Sequence, residues 1–267
     1  MPRAEASLFP DLPPSPGRVK ITPMMEQYLR AKQENPDAIL FFRLGDFYEM
    51  FFEDAEQAAP ILEVALTSRS KKDEAPIPMC GVPFHSVQPY IRKLLAAGRK
   101  VALCDQVQDA AEAKGLVERA IVRVVTPGTV TEEECLDPNA PNYLVAVDAG
   151  DDIGLAALDL STGEVRIVPV ADAAALADEL ARLLPREILL AADGSLGETI
   201  RALFPDLLVS QVREDSFSAA TAVAWLRDAH EGADPAQLPA AGLRAVGAAL
   251  SYLHRTHRAS LAHLRAP

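Results

Sequence analysis

The chain has 267 residues, 49% of them hydrophobic, with 26 Lys+Arg against 38 Asp+Glu and a formal net charge of -12. That length leaves room for two domains with a core each, and that charge excludes a uniformly basic coat. No apolar run reaches the length of a membrane span, residues 1–21 lack the apolar centre of a signal peptide, and Cys80, Cys104 and Cys135 form no C-x-x-C pair. A cytoplasmic protein with reduced cysteines is expected.

The charge is unevenly spread. Residues 1–130 hold 16 Lys+Arg against 17 Asp+Glu, whereas residues 131–267 hold 10 against 21, and all seven lysines lie at or before Lys114. Contact with phosphates is therefore expected in the first half, and repulsion from them in the second.

In chain order, residues 1–21 read as a disordered leader, because five prolines interrupt a segment with little apolar period. Thr22-Pro23 reads as an N-cap and first helical residue, opening a helix through about Gln33 with Met25, Tyr28 and Leu29 on one face. Ile39 to Leu44 suits a buried strand, Gly45-Asp46 a turn, and Phe47 to Phe51 a returning strand. On that strand Phe47, Glu49 and Phe51 share one side, and Tyr48 and Met50 the other. A helix from about Asp54 to Ala65 follows, with Ala58, Ile61, Leu62 and Ala65 as its apolar stripe. Ser68 to Asp73 reads as a polar loop whose cations Arg69, Lys71 and Lys72 are candidates for phosphate contacts. Pro76, Pro78, Gly81 and Pro83 predict an irregular crossing, followed by a helix over Ser86–Ala97 and strands over Lys100–Asp105 and Val117–Val125.

Residues 131–142, with three successive glutamates and two prolines, read as a linker between a first domain, 22–130, and a second, 143–267. The second opens with three strands, Tyr143–Asp148, Ile153–Leu160 and Glu164–Val170, joined by turn chemistry into an antiparallel meander. Helices and short strands then alternate, giving an α/β protein: an α+β mixed-sheet domain followed by an α/β domain. No Gly-x-x-x-x-Gly-Lys-Ser/Thr run occurs in the chain, so ATP hydrolysis is not expected of it.

Four blocks in order carry a resemblance: Thr22 to Leu29, Phe42 to Glu49, Ile77 to His85 and Val124 to Thr129. Together they resemble the amino-terminal mismatch-binding domain of the MutS mismatch-repair family, and the remainder resembles its ribonuclease-H-like connector domain. The resemblance implies that Phe47 enters the minor groove and stacks on a mispaired base while Glu49 hydrogen-bonds the displaced base. It also implies MutL as a partner of the connector, a homodimer in the full-length protein, and ATP with magnesium only in an ATPase domain beyond this sequence. On that resemblance the chain reads as an amino-terminal piece of a bacterial, nucleoid-associated protein, a monomer by itself. Glu5-Ala6-Ser7-Leu8-Phe9 is similar to the Gln-x-Ser-Leu-Phe peptides that grip the sliding clamp, with Glu5 in place of Gln. Two other readings stay open. The chain could be a protein-interaction module in which Phe47 is core, or a metal-dependent nuclease on the ribonuclease-H-like fold with Asp148, Glu179 and Asp193 as ligands.

Overall fold

The computed structural model describes residues 22–69, 76–108, 115, 117–150, 152–191, 195–230, 234–257 and 261–267. The leader, with Ser7, Leu8 and Phe9, lies outside them, as do Lys71, Lys72 and Asp193.

Residues 22–125 form a six-stranded mixed sheet in the order β3-β4-β2-β1-β5-β6. Helix α1, Pro23–Glu34, starts where expected: Thr22 Oγ1 accepts from Met25 N, and Pro23 has no N–H to leave unpaired. Its buried stripe is Met24, Met25, Tyr28 and Ala31. Strand β1, Ala38–Leu44, is buried on both faces over its first five residues, which is why it reads as an unbroken apolar run. A two-residue loop returns it into β2, Phe47–Phe51, with Leu44 opposite Phe47. Gly45 has φ +58°, the left-handed value that the first position of a type II′ turn needs.

Helix α2, Phe52–Leu62, begins earlier and ends earlier than its sequence predicts. Phe52 turns the corner from β2 at φ +54°, a backbone value costing a bulky residue on the order of 1–3 kcal/mol. At the other end Glu63 takes φ +59°, and its N–H and that of Val64 both return to the Ala59 carbonyl. The buried stripe is accordingly Ala55, Ala58, Ala59 and Leu62, leaving Ala65 outside the helix.

Two further expectations are corrected. The polar loop begins instead as a strand, β3, Thr67–Arg69, and the proline-rich crossing is a strand, β4, Ile77–Pro83. The ladder explains both: β4 pairs with β2 along five residues, and β3 pairs with β4 only from Ile77 to Met79, so the prolines sit close to a sheet edge where missing donors are tolerated. After α3, Gln88–Ala96, strand β5, Lys100–Gln106, runs parallel to β1, and β6, Arg119–Val125, closes the other edge. One face of this sheet packs on α2 and α3 through Phe41, Tyr48, Met50 and Val82. The other packs on α1 through Leu40, Phe42, Phe51 and Ala102.

Residues 143–257 form a five-stranded sheet in the order β11-β10-β7-β8-β9. Strands β7, Tyr143–Ala149, β8, Ile153–Asp159, and β9, Glu164–Pro169, are the antiparallel meander. Strands β10, Glu187–Ala191, and β11, Leu208–Val212, then add in parallel beside β7, which is the ribonuclease-H-like order. Helices α4, Ala173–Leu183, and α5, Ser195–Leu203, cover one face, while α6, Ala219–Ala229, and α7, Ala240–His257, cover the other.

The two sheets are joined through a buried carboxylate. Glu187 is fully buried on β10; it accepts from Thr126 Oγ1 and Gly128 N of the turn after β6, from Ser210 Oγ at 2.5 Å and from Tyr252 Oη at 2.7 Å. No cation is needed to hold that charge when four donors meet it. Asn142 adds a side-chain bond to the Pro127 carbonyl at 3.0 Å.

Candidate nucleic-acid interface

The β1–β2 hairpin is anchored before it is exposed. Tyr48, on its inner face, donates to Asp105 Oδ2 at 2.6 Å, and burial together with that bond pushes the phenol far above its ordinary range. Arg43 donates to the Gly45 carbonyl and lies 3.1 Å from the Phe84 ring centroid. Arg119, whose Nε donates to the Arg43 carbonyl at 2.6 Å, closes the base of the hairpin from β6 and sits over Phe42. Neither Arg43 nor Arg119 stood out in the sequence, because each acts on a partner in another strand.

On this base β2 divides as its alternation predicts, but with unequal burial. Phe51 is completely buried, edge-on to Tyr28 at 5.1 Å, while Phe47 on the same face is 46% exposed. The difference is positional: α1 packs over the Phe42 and Phe51 end of the face, and Phe47 stands at the turn. Phe51 is therefore a core residue, while Phe47 stands half-exposed.

Glu49 stands between them, opposite Phe42 on β1 and Gly81 on β4. A Cβ at Gly81 would come within 3.4 Å of the Glu49 Cγ, so the glycine leaves room for the carboxylate to lie across β4. Its Oε2 is buried without a hydrogen-bond partner. Burial raises the acid above its ordinary range, and among the described residues the charge opposing that is Arg69, whose Nη1 lies 4.0 Å from Oε2, beyond hydrogen-bond reach. Arg69 comes from edge strand β3, is itself half-exposed, and also lies 5.9 Å over the Phe51 ring. The structure thus sets three groups along one face of the sheet: the Phe47 ring at the turn, the Glu49 carboxylate in the middle of β2, and the Arg69 guanidinium reaching toward it from the Phe51 end, where Arg69 pairs with Ile77.

The two described nuclease candidates, Asp148 and Glu179, are each engaged elsewhere. Asp148 accepts from Arg244 Nε at 2.6 Å and Glu179 is paired to Arg182 on its own helix, so each carboxylate already has a counter-charge. Among the described residues no cluster of three His, Cys, Asp or Glu side chains could hold a metal ion. Among the described residues the donor set does not fit a two-metal centre. No helix among the described residues is long and apolar enough to cross a membrane.

Comparison with known proteins bears on the whole chain. The family profile of MutS domain I matches residues 22–134 and that of MutS domain II matches residues 142–265. The DNA mismatch repair protein MutS of Desulfosudis oleivorans is 44% identical over 251 residues, covering 91% of this chain, and that of Dinoroseobacter shibae is 45% identical over 258 residues, covering 92%. The corresponding protein of Syntrophobacter fumaroxidans is 54% identical over 177 residues, or 65% of the chain. The chain spans only about 28% of the length of the first of these relatives. With both domain profiles matched in order and full-length relatives aligned across nearly all of it, the chain belongs to the MutS family of DNA mismatch-repair proteins.

Proposed function

We propose that this chain reads mismatched DNA, with Phe47 inserting from the minor groove at a mispaired or unpaired base and Glu49 accepting a hydrogen bond from the base it displaces. The observation that carries the reading is the pairing of a half-exposed phenylalanine with an unpartnered carboxylate oxygen two residues along the same strand face. A core residue has no reason to stay exposed, and a solvated surface glutamate has no reason to keep a buried, unsatisfied oxygen.

The energetics favour distorted DNA. Unstacking a base step costs a few kcal/mol, smooth bending of a site about 1–6 kcal/mol, and a stacked aromatic recovers roughly 1–3 kcal/mol. At a matched pair the costs exceed that recovery. A mispair has already lost part of its stacking and pairing, so insertion becomes favourable. Glu49 adds a penalty elsewhere: among phosphates its charge is repelled, and only a base whose N–H has been freed offers compensation.

A low-salt fluorescence titration against a G·T duplex and its matched twin tests this. Phe47→Ala is expected to lose roughly 1–3 kcal/mol of G·T binding and its preference over the matched duplex. Glu49→Gln is expected to tighten matched binding and narrow the ratio. Unchanged discrimination in both variants would overturn the assignment.

The chain acts in this reading as a binding module rather than an enzyme, without a cofactor of its own, and ATP and magnesium belong to an ATPase region of a longer parent that works as a homodimer at the nucleoid. A second reading, docking of MutL on the connector, is favoured by a groove of about 790 Å³ between the two sheets, lined by Leu184, Pro185, Leu203, Phe204 and Leu207, in which Leu184 is 73% exposed. The leader residues Ser7, Leu8 and Phe9 are the proposed grip on the sliding clamp.

A further inference from the structure

Arg69 is a candidate for a phosphate contact, yet among the described residues it faces the Glu49 carboxylate. Three features make the pair unusual. The separation of 4.0 Å is too long for a hydrogen bond, so Glu49 Oε2 keeps its lone pairs free while still feeling the guanidinium. The cation sits on the outermost strand, and its side chain is 45% exposed, so it can turn toward solvent without disturbing the core. The groups that face Glu49 across the ladder, Phe42 from β1 and Gly81 from β4, carry no charge; on α1 and α2, the buried titratable groups Tyr28 and Asp54 are bonded to each other at 2.8 Å.

We propose that Arg69 is a specificity-determining residue that acts through Glu49: it is the carboxylate's counter-charge in the free protein and transfers to a backbone phosphate when a duplex lies along the face that runs from Phe47 to Arg69. This rests on the reading of Glu49 as the base-contacting group. A phosphate offers the guanidinium a bidentate partner at hydrogen-bond distance, which Glu49 does not. Once Arg69 has moved, burial acts on Glu49 unopposed, and the carboxylate takes a proton from solvent. A neutral Glu49 then donates as well as accepts, so it can bond either a freed N–H or a ring nitrogen of the displaced base. Contact with the backbone thereby switches the reader from a repelling anion into a two-way hydrogen-bonding group.

The consequence is proton uptake on binding. G·T affinity of the wild-type chain is expected to fall by up to tenfold per pH unit as pH rises between the free and the bound midpoint of Glu49. Arg69→Met is expected to flatten this slope, because Glu49 is already partly protonated before DNA arrives; Arg69→Lys is expected to retain it, and Glu49→Gln to abolish it. In the absence of DNA, carbon-13 carboxyl NMR is expected to show the Glu49 midpoint moving upward in Arg69→Met. If that midpoint does not move, or if Arg69→Met weakens G·T and matched binding by one common factor with the pH slope intact, Arg69 is a plain phosphate contact and the proposal fails. If Glu49→Gln leaves the G·T preference of the wild type untouched, the reading of Glu49 itself fails. Where no duplex is bound at any salt used, the NMR midpoint alone decides.

Discussion

Two phenylalanines on β2, four residues apart and on the same face, divide structure from recognition. Phe51 fills the core against Tyr28, whose hydroxyl donates to Asp54 at 2.8 Å and accepts from the Phe51 N–H at 3.2 Å. Its replacement by alanine is expected to cost about 3–5 kcal/mol in urea unfolding, as for other buried aromatics. Phe47→Ala should change stability by no more than about 0.5 kcal/mol, since nearly half of the side chain is already in water. If Phe47→Ala instead destabilises the chain as much as Phe51→Ala does, Phe47 is core and the mismatch assignment falls with it. Of the residues at this site, Phe47 and Glu49 were legible from their motif and the strand period. Arg69 was legible only as a cation, and its link to Glu49 was hidden because it reaches from β3 across β4 to β2.

At the scale of elements, the helices with clear caps and the strands with clear alternation were read from their residues. Strands β3 and β4 were not. Proline and glycine argue locally for an irregular path, whereas β4 is held straight by β2 along five of its seven residues. Local propensity lost there to pairing. Helix α7 shows the opposite case, in which composition carries meaning only after packing. Its small residues permit an approach so close that a Cβ on Gly154 of β8 would lie 2.1 Å from the Ala241 carbonyl oxygen, and one on Gly247 would lie 2.1 Å from that of Ser218. The clash is with backbone, which cannot rotate away. Gly154→Ala is therefore expected to destabilise the second sheet by on the order of 3 kcal/mol, measured as a lower urea midpoint, with β2 and its hairpin unaffected in hydrogen exchange. A neutral result would mean that α7 rides farther from β8 than described.

For the whole molecule, the junction between the sheets is polar and buried. Glu187→Ala leaves four donors without their acceptor, and is expected to cost about 3–5 kcal/mol and to speed exchange at Gly128. A second contact across the junction responds to pH. His257 lies against Arg123, which is ion-paired to Glu132, and burial first, then Arg123, hold the imidazole below its ordinary value. A base depressed in the folded state is protonated first in the unfolded chain, so its contribution is intact above about pH 6.5 and is lost as pH falls from there toward the folded value. His257→Gln should flatten that part of the stability curve; an unchanged acid limb would show that carboxylates alone govern it. The sequence by itself determined the element types, the two-part division of charge and the exposed-motif candidates, since caps, turns and periods act over a few residues. Only the tertiary structure decided that Phe47 is open while Phe51 is closed, that Arg69 meets Glu49, and that the Thr126–Thr129 turn grips Glu187. Each depends on sheet register and on which helix covers which end of a face, quantities set by the sum of distant contacts rather than by any segment alone.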